Sequence, residues 1–216
     1  MTIGQSTSGK LKVKGGKGEV SSDKHFEGNI RQVLVKTLSG EQEVRYREWV
    51  SENIKKVDSL SGGRVGYLHI PDMSTHGIAE FHRGYLAQVD REGLIVDVRY
   101  NAGGMVSPLI LEKLAHRHLG FDVPRWGTPE SYPYHTLRGH LIVIANQFTG
   151  SDGDMFTTSF RQLQLGQLVG KRTWGGVIGI DGRYQLVDGT TTTQPQYSIW
   201  FHHCLLYTSD AADDTP

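Results

Sequence analysis

Ser151 lies in the run Gly150-Ser151-Asp152-Gly153-Asp154, where a hydroxyl sits between glycines just before a helical pattern begins. A serine at such a turn suits acyl transfer. Its oxygen can attack a carbonyl, and the free backbone N–H groups of a helix N-terminus can hold the oxyanion that develops. The same residues carry a second reading. Ser151 followed three residues later by Asp154 resembles a capping box, and serine is a preferred N-cap on structural grounds alone. The segment is not the Gly-x-Ser-x-Gly elbow of α/β-hydrolases, because Thr149 stands where that motif needs glycine. A second turn, Asn101-Ala102-Gly103-Gly104, has the form of a backbone donor site, although such glycine pairs commonly serve only as turns.

These turns need a scaffold, and the hydrophobic pattern supplies one. Val65–Ile70, Leu94–Tyr100, His140–Asn146 and Leu168–Thr173 read as short apolar strands. Between them lie three helical patterns. The first is capped by Ser74 and carries Ile78, Phe81, Tyr85 and Val89 on one face. The second opens at Ser107-Pro108, with Leu111, Leu114 and Ala115 inward. The third runs from about Asp152 to Leu165. A loop from Gly120 to Gly139 separates the second helix from the third strand. Strands of this kind joined by helical crossovers imply an α/β fold, a βαβ parallel sheet covered on both faces. Ligands then bind beyond the carboxyl ends of the strands, where both turns fall. Tyr184–Val187 and Thr190–Thr193 flank Asp188-Gly189 and predict a C-terminal β-hairpin.

Upstream, residues 1–30 are rich in Gly, Ser and Lys and are expected to be poorly ordered. Val33–Leu38 reads as a strand and Gln42–Val57 as a helix with Tyr46, Trp49, Val50, Ile54 and Val57 on one stripe. The 216 residues carry 23 Lys+Arg against 23 Asp+Glu, which gives no basic footprint for nucleic acid. No apolar run approaches the ~20 residues of a membrane span, and Met1–Gly18 lacks a signal pattern, so a cytoplasmic protein is expected. A single cysteine, Cys204, excludes an internal disulfide. His202-His203-Cys204 is too crowded to converge on one ion, so neither a metal nor a cofactor is expected.

Four segments in order, Gly63–Met73, Gly93–Gly104, Thr149–Asp154 and Thr173–Gly179, resemble the tricorn-type branch of the tail-specific, or C-terminal-processing, serine peptidases. The resemblance implies a ClpP/crotonase-like catalytic domain over 63–201, preceded by the end of a PDZ-like domain and a linker helix over 31–62. It implies Ser151 as nucleophile, and the backbone N–H groups of Gly104 and Asp152 as the oxyanion hole. Asp122 corresponds to an acid that favours basic side chains, and Thr173, Trp174, Gly175 and Gly176 lie beside the substrate. Asp97 and Arg99 read as scaffold. Peptide substrates and a homo-oligomer of the full-length protein follow from the same likeness.

Two features depart from the family. Its general-base histidine lies in a segment upstream of the PDZ-like domain, and none of the ten histidines here has that context; His69 and His140 are the alternatives. The glutamate that completes the family's site also has no counterpart, and 202–216 match nothing in the family and read as artefactual. The expectation is therefore an incomplete catalytic set, weak or inactive as a fragment. Two other functions remain open on sequence alone: a non-catalytic ligand- or peptide-binding module, and a crotonase-like acyl-thioester enzyme.

Overall fold

The computed structural model describes residues 40–182 and 185–201, together with the strand backbone at Thr2–Gln5, Leu11–Lys14, Gln32–Leu34 and Cys204–Leu205. The chain divides into two units, Met1–Glu48 and Trp49–Pro216.

In the first unit, β1 (Thr2–Gln5), β2 (Leu11–Lys14) and β3 (Gln32–Leu34) form an antiparallel sheet in the order β2-β1-β3. Two strands therefore fall inside the stretch expected to be poorly ordered; its other residues lie outside the described set. The strand expected at Val33–Leu38 is represented by β3, and 35–39 lie outside as well. Helix α1 (Gln42–Ser61) begins in this unit and runs four residues beyond the Val57 end expected from sequence. Glu41–Arg45 and Glu43–Arg47 pair along its exposed first turns, each worth a few tenths of a kcal/mol at most (about 0.3–0.5). Its stripe runs through Tyr46, Trp49, Val50, Asn53 and Val57, while Ile54 is exposed.

The second unit follows the expected alternation: β4 (Val65–His69), α2 (Thr75–Gln88), β5 (Gly93–Asp97), α3 (Ser107–Ala115), β6 (Gly120–Asp122), β7 (Glu130–Tyr132), β8 (His140–Ala145), α4 (Asp152–Gln162) and β9 (Gln167–Gly170). β4-β5-β8-β9 form one parallel sheet in chain order. Right-handed crossovers in a constant direction place every connecting helix on the same face. Leu68, Val96 and Val143 accordingly share one core with Phe81 and Tyr85 of α2, Ile110 and Leu111 of α3, and Phe156 and Phe160 of α4. The opposite face is less covered. Ile95, Ile142 and Ile144 are only part-buried, and Trp49 of α1 sets its ring edge-on to His69, centroids 4.8 Å apart. Both faces are covered, as expected, but by different means: the sheet never reverses its strand order, so the crossover helices share one face, and Tyr67, His69 and Asp97 are buried on the other, where Trp49 packs.

The Gly120–Gly139 loop contains an antiparallel pair, β6 with β7. Beyond β9, β10 (Ile178–Asp181) pairs antiparallel with β11 (Gln194–Ser198). At the tip, Gln185 bridges Thr191 and Gly189 turns at φ +82°, so the C-terminal hairpin is present and its ladder extends further than Asp188-Gly189 alone indicated. β12 (Trp200–Phe201) and β13 (Cys204–Leu205) form a last short pair. Tyr184 lies outside the described residues. Among these, no helix is long and apolar enough to cross a membrane.

Candidate active site

Ser151 follows β8 and opens α4, but not as a cap. Its side chain makes no capping hydrogen bond, and its backbone takes φ 55°, ψ −120°. Non-glycine residues are held at such angles at a cost of ~1–3 kcal/mol and only where surrounding structure enforces them. The enforcement is visible. Thr149 Oγ1 donates to the Val98 carbonyl at 2.7 Å, and the Gly150 N–H donates to the Asn101 carbonyl at 2.8 Å. The turn is thereby tied to the end of β5 before the helix starts. Ser151 thus stands at the N-cap position of α4 without its hydroxyl making the cap.

The second turn packs directly against the first. A Cβ on Gly103 would lie 2.5 Å from Ser151 Cβ, and one on Gly104 would lie 1.9 Å from the Met73 carbonyl oxygen. Only glycine fits at either, at φ +98° and +154°. Asn101, fully buried, sets this turn: its Nδ2 donates to the Ile70 carbonyl at 3.0 Å and its Oδ1 accepts from Gly103 N–H at 2.9 Å. Among the described residues, neither the Gly104 nor the Asp152 backbone N–H reaches an acceptor. Asp152 uses its carboxylate elsewhere. It accepts from Ser107 N–H at 3.0 Å and Ser107 Oγ at 2.5 Å. Here the sequence reading is corrected: Ser107 is not the cap of α3 but lies inside it, behind Val106, and makes no cap of its own. The cap comes from a carboxylate on α4, which locks the two helix N-termini together.

A cleft of about 400 Å³ opens over Ser151, lined also by Ala102, Trp174, Gly175, Gly176 and Val177. Its wall is the segment after β9. The Trp174 N–H donates to the Thr149 carbonyl at 2.8 Å. Its indole rests where Cβ atoms on Gly150 and Gly176 would stand, at 2.9 and 2.3 Å, so both glycines make room for the ring. Gly175 N–H donates to Asp154 Oδ1 at 2.9 Å. Asp154 is fully buried; burial pushes its carboxyl above the usual range, partly offset by Thr173 and by the Gly175 and Ser151 N–H groups.

Of the expected site residues, Ser151, Trp174, Gly175 and Gly176 thus meet at one cleft, with Gly104 and Asp152 on adjoining turns. Thr173 is buried at 4% exposure and lies behind the wall rather than on it. Asp122 is not on this cleft. It lines a separate opening of about 630 Å³ with Glu130, Trp126 and Tyr134, because β6 carries it out on the hairpin pair. Among the described residues, no histidine lines the Ser151 cleft. His140 opens β8, one strand length, roughly 20 Å, from the end that bears Ser151. His69 bonds the Arg99 carbonyl through Nε2 at 2.8 Å and packs on Trp49; burial lowers its pKa. Asp97 is fully buried and bound by Arg99 Nε and Nη2 and by Tyr67 Oη at 2.6 Å, a structural arrangement. Among the described residues, no three His, Cys, Asp or Glu gather as metal ligands would. Asn101 and Asp154 were missed in the sequence. The signal for Asn101 was its place before the glycine pair; Asp154 gave none beyond the capping pattern.

The chain is similar to known proteins in sequence and fold. The model of Peptidase family S41 matches residues 64–204. Tricorn protease from Thermoplasma volcanium is 48% identical over 198 residues, 92% of this chain and 19% of that protein. Tricorn protease homolog 1 from Streptomyces coelicolor is 51% identical over 173 residues, 80% of this chain and 16% of that protein. The crystal structure of the tricorn protease superposes with a TM-score of 0.78 at 43% identity, covering 91% of this chain and 18% of that one. The chain therefore spans less than a fifth of the length of these relatives. With a parallel sheet of the tricorn kind and a family match across the whole of it, this chain belongs to peptidase family S41.

Proposed function

We propose that this chain is the core of a serine peptidase that hydrolyses peptide bonds in oligopeptides or unfolded segments. One observation carries the reading: Ser151 is held in a strained turn at a sheet edge with its hydroxyl excluded from the helix cap. A residue kept there at an energetic cost is kept for its side chain.

In the reaction, Ser151 Oγ attacks the substrate carbonyl carbon and its proton passes to a base. The carbonyl oxygen becomes an oxyanion held by the Gly104 and Asp152 N–H groups. Collapse of this intermediate expels the amine, which takes up a proton, and leaves an acyl ester on Ser151. Water then releases the acid and restores the hydroxyl. The Trp174–Gly176 wall runs alongside an extended peptide. Among the described residues no histidine lines the cleft, and the relatives are some five times longer; both support a base and a completing glutamate supplied from elsewhere in a longer protein. A serine without its base is a weak nucleophile, so the 216 residues alone turn over little or nothing.

Several further readings rest on the same likeness. Residues 31–62 close a PDZ-like domain; the 198-residue match to the T. volcanium protein is longer than the catalytic core alone. Asp122, beside Glu130 in an acidic opening, selects basic side chains on substrates that extend to it. The full-length protein is a cytoplasmic homo-oligomer. The test is labelling with a fluorophosphonate probe, comparing the chain, Ser151→Ala and an N-terminally extended gene. The extended protein is expected to label fastest and Ser151→Ala not at all. Equal labelling of the chain and Ser151→Ala overturns the nucleophile assignment, and a binding module without chemistry then accounts for the fold.

A further inference from the structure

Asp154 is a fully buried acid three residues beyond Ser151 that the reaction above does not use. Its Oδ1 accepts from Gly175 N–H at 2.9 Å. Asp154 stands in the first turn of α4, directly after the Ser151 turn. Oδ2 meets no partner, and neither does the buried Thr173 Oγ1. This one bond therefore joins the helix start that carries Ser151 to the wall that faces it across the cleft.

We infer that Asp154 is a positioning residue: its Oδ1 fixes the Trp174-Gly175-Gly176 wall at a set distance from the Ser151 turn, so that the wall can pair with the main chain of an extended peptide substrate. This rests on the reading of Ser151 as nucleophile. The placement has a physical reason. The wall segment follows a strand that ends at Gly170, and the two glycines after Trp174, Gly175 and Gly176, leave it few side-chain anchors of its own. The Trp174 N–H bond to Thr149 and the Gly175 N–H bond to Asp154 are what tie it down. Without Asp154, the Gly175 N–H is buried and unpaired, and the wall must shift to find water. A displacement of about 1 Å in a substrate-orienting group can cost ~10²-fold in rate.

The carboxylate charge is not what the position uses. Since Oδ1 alone accepts hydrogen bonds, Asp154→Asn keeps that acceptor. It also places an amide N–H where Oδ2 now stands, facing the Thr173 side with its unpaired hydroxyl. Burial already favours the neutral acid there. Asparagine should therefore rescue what alanine loses.

Two measurements test this. In the ¹⁵N,¹³C-labelled chain, a scalar coupling across the hydrogen bond from the Gly175 amide nitrogen to the Asp154 side-chain carboxyl carbon is expected. Its absence overturns the contact without any variant. Gly175 amide exchange should speed up about tenfold in Asp154→Ala and stay at the native rate in Asp154→Asn, with the amides of Tyr67 and Val96 unchanged in both. In the N-terminally extended protein, a peptidyl phosphonate separates probe affinity from the bond-forming step. Asp154→Ala should weaken affinity by roughly tenfold to a hundredfold with a smaller change in the chemical step, and Asp154→Asn should restore it to within about threefold. Native Gly175 exchange in the alanine variant, or an asparagine variant no better than alanine, overturns the proposal. Failure of every form to label Ser151 would instead count against the peptidase reading, and the exchange data would still decide the role of Asp154.

Discussion

Asp97 and Asp154 are both fully buried carboxylates near the carboxyl edge of the same sheet, yet they are satisfied in opposite ways. Asp97 is enclosed by side chains. Arg99 grips both oxygens, Tyr67 donates to Oδ2, and the Arg99 N–H binds Oδ1. These contacts raise the Arg99 pKa, while burial and Asp97 together raise that of Tyr67. Asp154 has one backbone donor, the Gly175 N–H, on Oδ1 and nothing on Oδ2. The first is a closed network that joins two strands and, through Arg99 and His69, the Trp49 ring. The second joins two loops that border an open cleft. Near the edge of one sheet, complete pairing marks scaffold, and incomplete pairing marks the side on which strain and unused donors collect.

The comparison is broken most severely by removing Asp97. Asp97→Ala leaves the part-buried Arg99 guanidinium and the buried Tyr67 hydroxyl without their acceptor, and stability is expected to fall by about 3–5 kcal/mol. Urea unfolding checks this, and a loss under 1 kcal/mol (about one exposed pair's worth) would show that the network is not holding the strands. Labelling of Ser151 in the fraction still folded should be unchanged, since Asp97 does not border the cleft. Gly104→Ala should do the reverse. A methyl 1.9 Å from the Met73 carbonyl displaces the Gly104 N–H, and phosphonate labelling of the extended protein should slow by ~10²–10³-fold. A rate within threefold of native would remove Gly104 from the oxyanion hole.

The contrast also explains what could be read in the sequence. The alternation of strands and helices was legible because apolar runs such as Leu94–Val98 and the stripe Phe81–Tyr85–Val89 bury one dominant face, and burial follows hydrophobic period. Ser74 was legible as a cap because the signal is local: its side chain accepts from His76 N–H two residues away. Ser107 was misread for the opposite reason. Its partner, Asp152, is 45 positions distant, and nothing local distinguishes a serine that caps from one that is capped. Ser151 was ambiguous in sequence because a hydroxyl that caps and one that does not share the same local pattern; its backbone angles and unused hydroxyl show only that it makes no side-chain cap. The β6–β7 pair was missed because a loop with three prolines and two short exposed strands carries no apolar alternation. The gathering of all crossover helices on one face was invisible for a topological reason, since strand order is not written in any one segment.

A smaller effect sharpens the side of the comparison that stores strain. Ser151→Gly removes the hydroxyl and also the Cβ that makes φ 55° costly. The gain from relieved strain is partly cancelled by the greater freedom of glycine in the unfolded chain, leaving stability higher by about 1 kcal/mol. Ser151→Ala, which keeps the Cβ, should show no such gain. Thermal unfolding of the two variants beside the native chain separates strain from the loss of the hydroxyl, and equal melting temperatures would mean that the turn is not strained.

The smallest expected change is at Asp154, and its sign is opposite to that at Asp97. Burial raises the folded-state pKa of Asp154 above the ordinary 3.8. Between 3.8 and that raised value, the folded protein holds a proton that the unfolded chain has lost, so stability from this group falls as pH rises through the window. Below 3.8 both states are protonated and the penalty vanishes; above the folded value it is complete. Asp154→Asn has no proton to lose and supplies an N–H toward Thr173. It should be more stable than the native chain at pH 7, by about 0.5–1 kcal/mol, with a smaller advantage at pH 3.5, and its stability should vary less with pH between them. Asp97→Asn, by contrast, puts an amide against Arg99 and should be destabilising throughout the same range. Urea titrations of both asparagine variants at the two pH values give four numbers. If both acids respond alike, the distinction between a closed network and an open joint does not hold; opposite signs at pH 7 place the adjustable side of the molecule at Asp154, beneath the wall that faces Ser151.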